Sequence, residues 1–310
     1  MDALSDVLRT VHLSGSLYCH SEPSAPWGME VPAGDTAQFH ILRRGRCFLL
    51  SEGSEPVLME SGDMAIYPGG LPHVVVDDPR TNPQPLQQLI EQRDESEESC
   101  ALIFGGGGEQ ATLICGYFRF DKSQVHPLMK VLPPMILLKG ESGRAQPWLE
   151  STLDLIAGES CSRSPGSEIL IDRLTETLFI RVIRSYLNDP ASGRLDPSWL
   201  AGLRDEKIGE ALGYIHHFPE EAWTVDVLAR RVGMSRSSFS GRFSELVGEP
   251  PLKYITRWRM QLAAEHLKEE KLSLAEIAMK VGYQAEAAFS KVFKRMWGIS
   301  PGSYRRQESA

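Results

Sequence analysis

Gly62, Pro68, Gly70 and His73 stand in the order Gly, five residues, Pro, one residue, Gly, two residues, His. That spacing looks like half of a metal site in a small β-barrel enzyme, with an imidazole set at the end of a tight turn. Companion donors are few. His40 lies upstream and Cys47 seven residues after it. Two or three such donors, completed by water, could hold a transition metal if the strand register lets them meet. The plainer reading is that His73 ends a turn and satisfies backbone groups. No complete ligand set can be assembled, so His40 and His73 are weak metal candidates and the expectation is no cofactor.

Thiols are the second source of chemistry. The five cysteines, Cys19, Cys47, Cys100, Cys115 and Cys161, form no CxxC pair and no zinc-type cluster. An odd, scattered set argues against a disulfide framework. Cys19 precedes His20, which could lower its pKa and favour the reactive thiolate. Cys115 lies in a strand-like stretch, where the alternative is a buried, inert small hydrophobe.

The elements that must position these groups change character along the chain. Short apolar runs at 39–42, 47–50, 57–59, 64–67 and 73–76 alternate with Gly/Pro turns and read as strands of a sandwich or barrel. Residues 77–99 turn polar and acidic and read as a surface loop. Gly105 to Gly108 read as a turn before a strand at 112–120, since no Lys-Ser/Thr follows to make a phosphate loop. Helical patterning starts at 147–156 and continues at 167–187, where Leu170, Leu174, Leu178 and Ile183 mark one apolar face. Residues 188–193 are rich in helix breakers, and everything after about Ser198 reads as helix. No run of eighteen apolar residues exists, so no membrane span is expected, and the start lacks the basic and apolar segments of a secretory leader. The expected location is cytoplasmic. The net charge of −8 hides an asymmetry: residues 221–310 carry 15 Lys/Arg against 10 Asp/Glu, or +5, while residues 1–220 carry 18 against 31, or −13. A basic end on an acidic body suggests a local polyanion-binding module.

That basic end contains an internal repeat. Ala229, Gly233, Phe239 and Phe243 recur as Ala278, Gly282, Phe289 and Phe293, with the Gly-to-Phe gap six residues in the first copy and seven in the second. Each copy fits a helix-turn-helix: a small Ala for close approach, a Gly for the left-handed turn, and two Phe to anchor the second helix. Ser273 and Glu276 make a capping box at the second copy. Between the copies, Pro250 and Pro251 precede a helical run at 252–267. With the phenylalanines inward, the outward face carries Ser237, Ser240, Gly241 and Ser244, flanked by Arg236 and Arg242. In the second copy it carries Ala287, Ser290, Lys291 and Lys294, with Glu286 and Arg295 beside them.

Residues 205–306, with both copies, the linker helix and the ending Gly298, Ile299, Ser300, Pro301, Tyr304 and Arg305, resemble the AraC/XylS family of bacterial transcription regulators. The resemblance implies sequence-specific binding in two adjacent major grooves. It places base reading on Ser237, Ser240, Gly241, Ala287 and Lys291, four of them small, so that Lys291 is the one long donor among them. Arg236, Arg242, Lys294 and the linker-helix Arg257 and Arg259 would then hold phosphates, with Ser290 on the same face.

Gly62 to His73 resembles the second motif of the cupin family, in particular the cupin-type sensing domain fused to some AraC-like regulators. The family's first motif, His-x-His with a Glu, is not recoverable around His40. Oxidant-responsive relatives in this group hold cysteines at positions similar to Cys19 and Cys115. Oxidation of one to sulfenic acid and capture by the other would be a reversible switch. The resulting expectation is an α+β chain of two domains. Residues 1–190 form a cupin-like β-barrel (about 1–140) with appended helices (about 145–190) for sensing and dimerisation, 191–204 form a linker, and 205–310 form an all-α tandem helix-turn-helix domain. The expected function is a DNA-binding transcriptional regulator, an activator and a homodimer. Its partners would be promoter DNA, RNA polymerase and an unknown small-molecule or oxidant effector. The alternative is a cupin metalloenzyme with an accessory DNA-binding domain, holding a metal ion in the barrel.

Overall fold

The computed structural model describes residues 4–5, 13–92, 101–120, 131–140, 146–162, 164–188, 196–268 and 272–308, with the backbone alone for 13–19, 120, 157 and 160–162. The chain divides into two compact units, His12–Asp189 and Pro190–Ala310 together with Met1–Val11. No described helix is long and apolar enough to cross a membrane.

The first unit is built from strands β1 (Leu13–Ser24), β2 (Gly28–Val31), β3 (Thr36–Arg44), β4 (Arg46–Leu50), β5 (Val57–Glu60), β6 (Met64–Tyr67), β7 (His73–Val76), β8 (Gln84–Pro85), β9 (Ala101–Gly105), β10 (Thr112–Phe120) and β11 (Ile136–Leu138). They form a six-stranded sheet, β11-β6-β3-β10-β1-β9, and a five-stranded sheet, β5-β4-β7-β2-β8. Residues of both sheets share one apolar core, including Leu42, Ala65, Leu113 and Cys115 from the first and Met29, Cys47, Leu49 and Val75 from the second. The expected barrel therefore takes the form of two sheets over a common interior.

β3 shows why the run at 39–42 carries no polar alternation. Its residues alternate between two faces, and both are covered. Leu42 enters the inter-sheet core, while Phe39 packs on Phe118, which in turn meets Phe179 of a helix on the outer face. The sequence stretch at 77–99 is not all loop: β8 and helix α1 (Leu86–Glu91) lie within it, and Leu89 is buried. The four glycines from Gly105 run along 24–25, with the Gly106 and Gly108 N–H groups donating to the carbonyls of Ser24 and Ala25.

Helices α2 (Pro147–Ser162) and α3 (Ser167–Asn188) complete this unit. The buried stripe of α3 is Thr175, Leu178, Phe179, Val182 and Ile183, a spacing that follows the helical period. Leu170, expected on that stripe, is exposed, because the packed face begins one turn later.

The second unit is helical: α4 (Trp199–Leu203), α5 (Glu206–His217), α6 (Val225–Arg231), α7 (Arg236–Val247), α8 (Pro251–Lys268), α9 (Leu274–Lys280), α10 (Glu286–Trp297) and α11 (Pro301–Glu308). The stretch read as a linker at 191–204 thus carries α4, whose Trp199 and Leu200 are buried. Pairs α6–α7 and α9–α10 are the two repeat copies. Gly233 and Gly282 end the first helix of each with φ of 66° and 80°, a left-handed turn that a Cβ would strain. Phe239, Phe243, Phe289 and Phe293 are fully buried. Thr224 and Ser235 cap α6 and α7, and Ser273 with Glu276 forms the capping box of α9. The 18 residues of α8 span about 27 Å at 1.5 Å per residue.

Candidate functional site

Two sets of functional residues emerge, one in each unit. In the helical unit, Phe239 and Phe243 turn the opposite face of α7 outward, and Phe289 and Phe293 do the same for α10. Arg236, Ser237, Gly241 and Arg242 are exposed on α7, with Ser240 half-buried. Ala287, Lys291 and Lys294 are exposed on α10, with Ser290 half-buried. All of the outward positions expected from the sequence therefore fall on the two outward faces.

The basic residues differ in how they are held. Arg236 lies 3.3 Å from Asp226. Arg242 pairs with Asp205, the N-cap of α5. Burial raises the Asp205 carboxyl, but the Arg242 pair and the N–H groups of Ile208 and Lys207 outweigh it and leave the pKa below its ordinary value. Arg257 donates to Glu249 at 2.7 Å and lies over the Tyr254 ring. Arg259 donates to the Glu221 carbonyl at 2.6 Å and lies over Tyr283, with its guanidinium against the Gly282 turn. Burial pulls its pKa down. Arg257 and Arg259, expected at phosphates, are thus engaged within the fold, and Arg259 ties the loop before α6 to the turn after α9. Among the described residues, Lys291 and Lys294 have no acidic group within ion-pair range.

In the strand-rich unit the turn motif explains itself structurally. Gly70 has φ of 63°, and a Cβ there would sit 2.1 Å from the Gly34 carbonyl oxygen. Asp63 is buried and accepts from Lys139 Nζ at 2.7 Å and Gly140 N at 2.8 Å. The chain then enters β7 at His73, whose ring stacks on Tyr67 with centroids 3.7 Å apart.

His73 does meet His40, but the third partner is Cys115 rather than Cys47. His40 Nε2 lies 2.7 Å from His73 Nε2, and His40 Nδ1 lies 3.1 Å from Cys115 Sγ. The register explains the meeting: Cys115 on β10 pairs with His40 on β3, and on its other side with Cys19 on β1. Cys47 belongs to the same apolar core as Cys115, its thiol pushed up to about 12 by burial and by the Asp63 charge. His20, the expected activator of Cys19, is partly exposed and 3.8 Å from Glu22. The Cys19 side chain lies outside the described residues.

The proton positions along this chain can be deduced. His73 Nδ1 lies 2.8 Å from the Leu71 carbonyl, which can only accept, so Nδ1 carries the proton. His73 is neutral near pH 7, because burial lowers its pKa to about 4 against the smaller opposing effect of the Leu71 bond. Its Nε2 is therefore an acceptor, and His40 Nε2 must donate to it. Burial, and then the neighbouring His73, hold His40 well below its ordinary pKa, so it too is neutral. Its Nδ1 is left as an acceptor, and the Cys115 S–H donates. Every bond in the row points the same way, from thiol to Leu71.

The same geometry bears on His40 and His73 as weak metal candidates. A single ion needs donors around one point. Here His40 sits in the middle and turns one nitrogen to each neighbour, so the three donors lie along a line. Among the described residues no group of three or more His, Cys, Asp or Glu is arranged to hold a metal.

Sequence comparison adds a family to this geometry. Residues 2–188 match the family described as Cupin, and residues 228–307 match that described as Helix-turn-helix domain. The chain is 32% identical to the HTH-type transcriptional regulator AlkR of Acinetobacter baylyi, over 99% of this chain and 100% of that protein. It is 32% identical to a putative AraC-like transcription regulator of Streptomyces lividans, over 99% of this chain and 98% of that one. It is 29% identical to the HTH-type transcriptional regulator MtrA of Neisseria gonorrhoeae, over 99% of each chain.

Proposed function

The chain belongs to the AraC-like helix-turn-helix transcriptional regulators that carry an N-terminal cupin domain, and from that premise we propose that it is a sequence-specific DNA-binding regulator whose cupin unit receives a small-molecule or oxidant signal. The observation that carries this reading is the repeat itself: two helix-turn-helix copies at the ends of one 18-residue helix, each with an outward second helix. Successive major-groove faces on one side of DNA lie about 34 Å apart. A rod of about 27 Å plus the width of the two copies supports placing α7 and α10 in adjacent grooves.

The small outward residues Ser237, Ser240, Gly241 and Ala287 favour close backbone approach and contact with thymine methyls, and Lys291 is the one long base-reading donor. Lys294 and Ser290 then face phosphates. Arg236 and Arg242 reach them by exchanging an acidic partner for a phosphate. Residues 1–190 sense and dimerise, in part through the exposed part of α3; 205–310 bind DNA. The protein works in the cytoplasm as a homodimer that contacts RNA polymerase, and is not an enzyme. The in-line arrangement of Cys115, His40 and His73 supports a receptor rather than a metal-dependent catalyst.

Genome-wide mapping of bound DNA, with and without an oxidant or small-molecule challenge, tests this reading. Discrete sites sharing one sequence and lying beside promoters are expected. Uniform occupancy that follows only salt concentration would point to a non-specific nucleoid binder instead.

A further inference from the structure

Because the two copies of the repeat meet at Arg259, we infer that this side chain determines which spacing between two recognition sequences the protein accepts. The inference rests on the two-groove reading above and adds to it a residue that acts through the protein rather than on the DNA: Arg259 is a positioning residue for the reading helices α7 and α10.

Each half of α8 belongs to one copy. Its first half packs on the first, with Tyr254 against Phe243 at 5.7 Å between ring centroids and Trp258 stacked on His216 at 4.0 Å. Its second half packs on the other, where Met260, Ala263, Ala264 and Leu267 share a core with Phe289 and Phe293. Two bodies strung on one helix can still swing by small sliding motions against it. A further contact away from the helix axis removes that freedom, and Arg259 supplies it at the point where the packing of α8 passes from one copy to the other. On the first side, Arg259 Nη2 donates at 2.6 Å to the Glu221 carbonyl, which also accepts from the Trp223 N–H at 2.7 Å. Trp223 Nε1 in turn donates to the Phe218 carbonyl at 2.8 Å, so the loop before α6 is braced where the guanidinium meets it. On the second side, the guanidinium lies 5.9 Å from the Tyr283 ring centroid, and Tyr283 packs on Phe289, one of the two anchors of α10. The turn at Gly282 is close to both partners: a Cβ there would stand 2.7 Å from Arg259 Cζ and 2.9 Å from the Pro219 carbonyl oxygen. Glycine thus lets the turn of the second copy approach the loop of the first directly. A planar guanidinium suits this place, because its edge donates to a carbonyl while its face covers an aromatic ring.

The consequence is a fixed offset between α7 and α10. One base pair inserted between their target sequences moves the second target by about 3.4 Å along the duplex and turns it by about 34–36°. A clamped pair of helices does not follow that displacement and forfeits base contacts of one helix, a loss on the order of 100-fold in affinity. A pair released at Arg259 follows part of the displacement, but it has to be ordered on binding, so it holds the native spacing more weakly.

The experiment measures binding of the full-length chain to a site recovered by selection from random duplexes, and to the same site with one base pair inserted or removed between its two halves. The readout is the ratio of affinity for the native spacing to affinity for each altered one. For the wild type a ratio of about 100 is expected. Arg259→Ala is expected to bind the native spacing about tenfold more weakly and the altered spacings no more weakly than the wild type, so its ratio falls to about 10. Arg259→Lys keeps the charge but not the planar fork, and its ratio should fall between the two. Helix content and melting are followed for both variants, and should Arg259→Ala not fold, the Arg259→Lys ratio decides: a ratio equal to that of the wild type would overturn the inference. A folded Arg259→Ala chain that discriminates spacing as strongly as the wild type would also overturn it. So would an equal loss on all three duplexes with a shallower salt dependence, which marks a phosphate contact instead. Equal binding of the wild type to all three duplexes would overturn the two-groove reading together with this inference, whereas discrimination shared by the wild type and the variants would overturn this inference alone.

Discussion

Acidification should weaken the cupin unit through His73. A free histidine titrates near 6.5, whereas burial holds His73 at about 4 in the folded chain. Between those values the unfolded chain binds a proton that the folded chain refuses, so stability is present above pH 6.5 and falls as pH drops toward 4. The gap is worth about 3.4 kcal/mol when fully expressed. Between pH 7 and pH 5 the same linkage removes about 2 kcal/mol. For a unit of this size that lowers the melting temperature by about 4–8 °C. His40, held low by burial and by His73, adds to the fall. The assay is calorimetry of the full chain at pH 7, 6 and 5, beside His73→Gln, which removes the titrating group. The variant should melt lower at pH 7, having lost its stacking on Tyr67, yet show a flatter dependence on pH. Equal pH dependence in the two proteins would refute the reasoning.

Four further variants concern the helical unit. Lys294→Ala should reduce the slope of log affinity against log salt by about 0.9 without favouring any sequence, whereas Lys291→Ala should cost about 1–3 kcal/mol at one base pair and relax specificity there. Binding titrations on wild-type and mutated sites separate the two. Arg259→Ala should lower the melting temperature while leaving the salt slope unchanged, because its guanidinium faces the Glu221 carbonyl and the Tyr283 ring. A reduced slope would return Arg259 to the phosphate contacts. Phe293→Ala, which opens a fully buried position against Phe289, Trp297 and Tyr304, should cost about 3–5 kcal/mol in denaturant unfolding.

How much could be read from the chain depended on the range of the interactions involved. The helix-turn-helix copies rest on local chemistry, a left-handed Gly and two Phe one helical turn apart, and that pattern survives in a linear string. Strands β3 to β7 were legible for the same reason, as short apolar runs between turn residues. β1 was not: its 12 residues include four serines, a glycine and a proline, and they extend because β10 and β9 pair on either side. The helix α1 hid in an acidic stretch that reads as loop until Leu89 finds a core. The sequence offered His40, His73 and Cys115 as separate candidates with Cys47 as the companion thiol. Only cross-strand register, 75 positions apart for His40 and Cys115, brings the right thiol to the imidazole. The rotations of α7 and α10 followed from their phenylalanines, but the engagement of Arg257 and Arg259 depends on Glu249, Glu221 and Tyr283, which come from elsewhere in the fold.

In the proposed mode of binding, α7 and α10 of one chain read two adjacent major grooves. Hydroxyl-radical footprinting of the full-length protein on a bound promoter fragment at physiological salt tests it most directly. Two protected patches per chain are expected on one face of the duplex, about 10–10.5 base pairs apart, with Lys291→Ala altering the α10 patch alone. A single patch per chain, or even protection along the fragment with no preferred site, would contradict it.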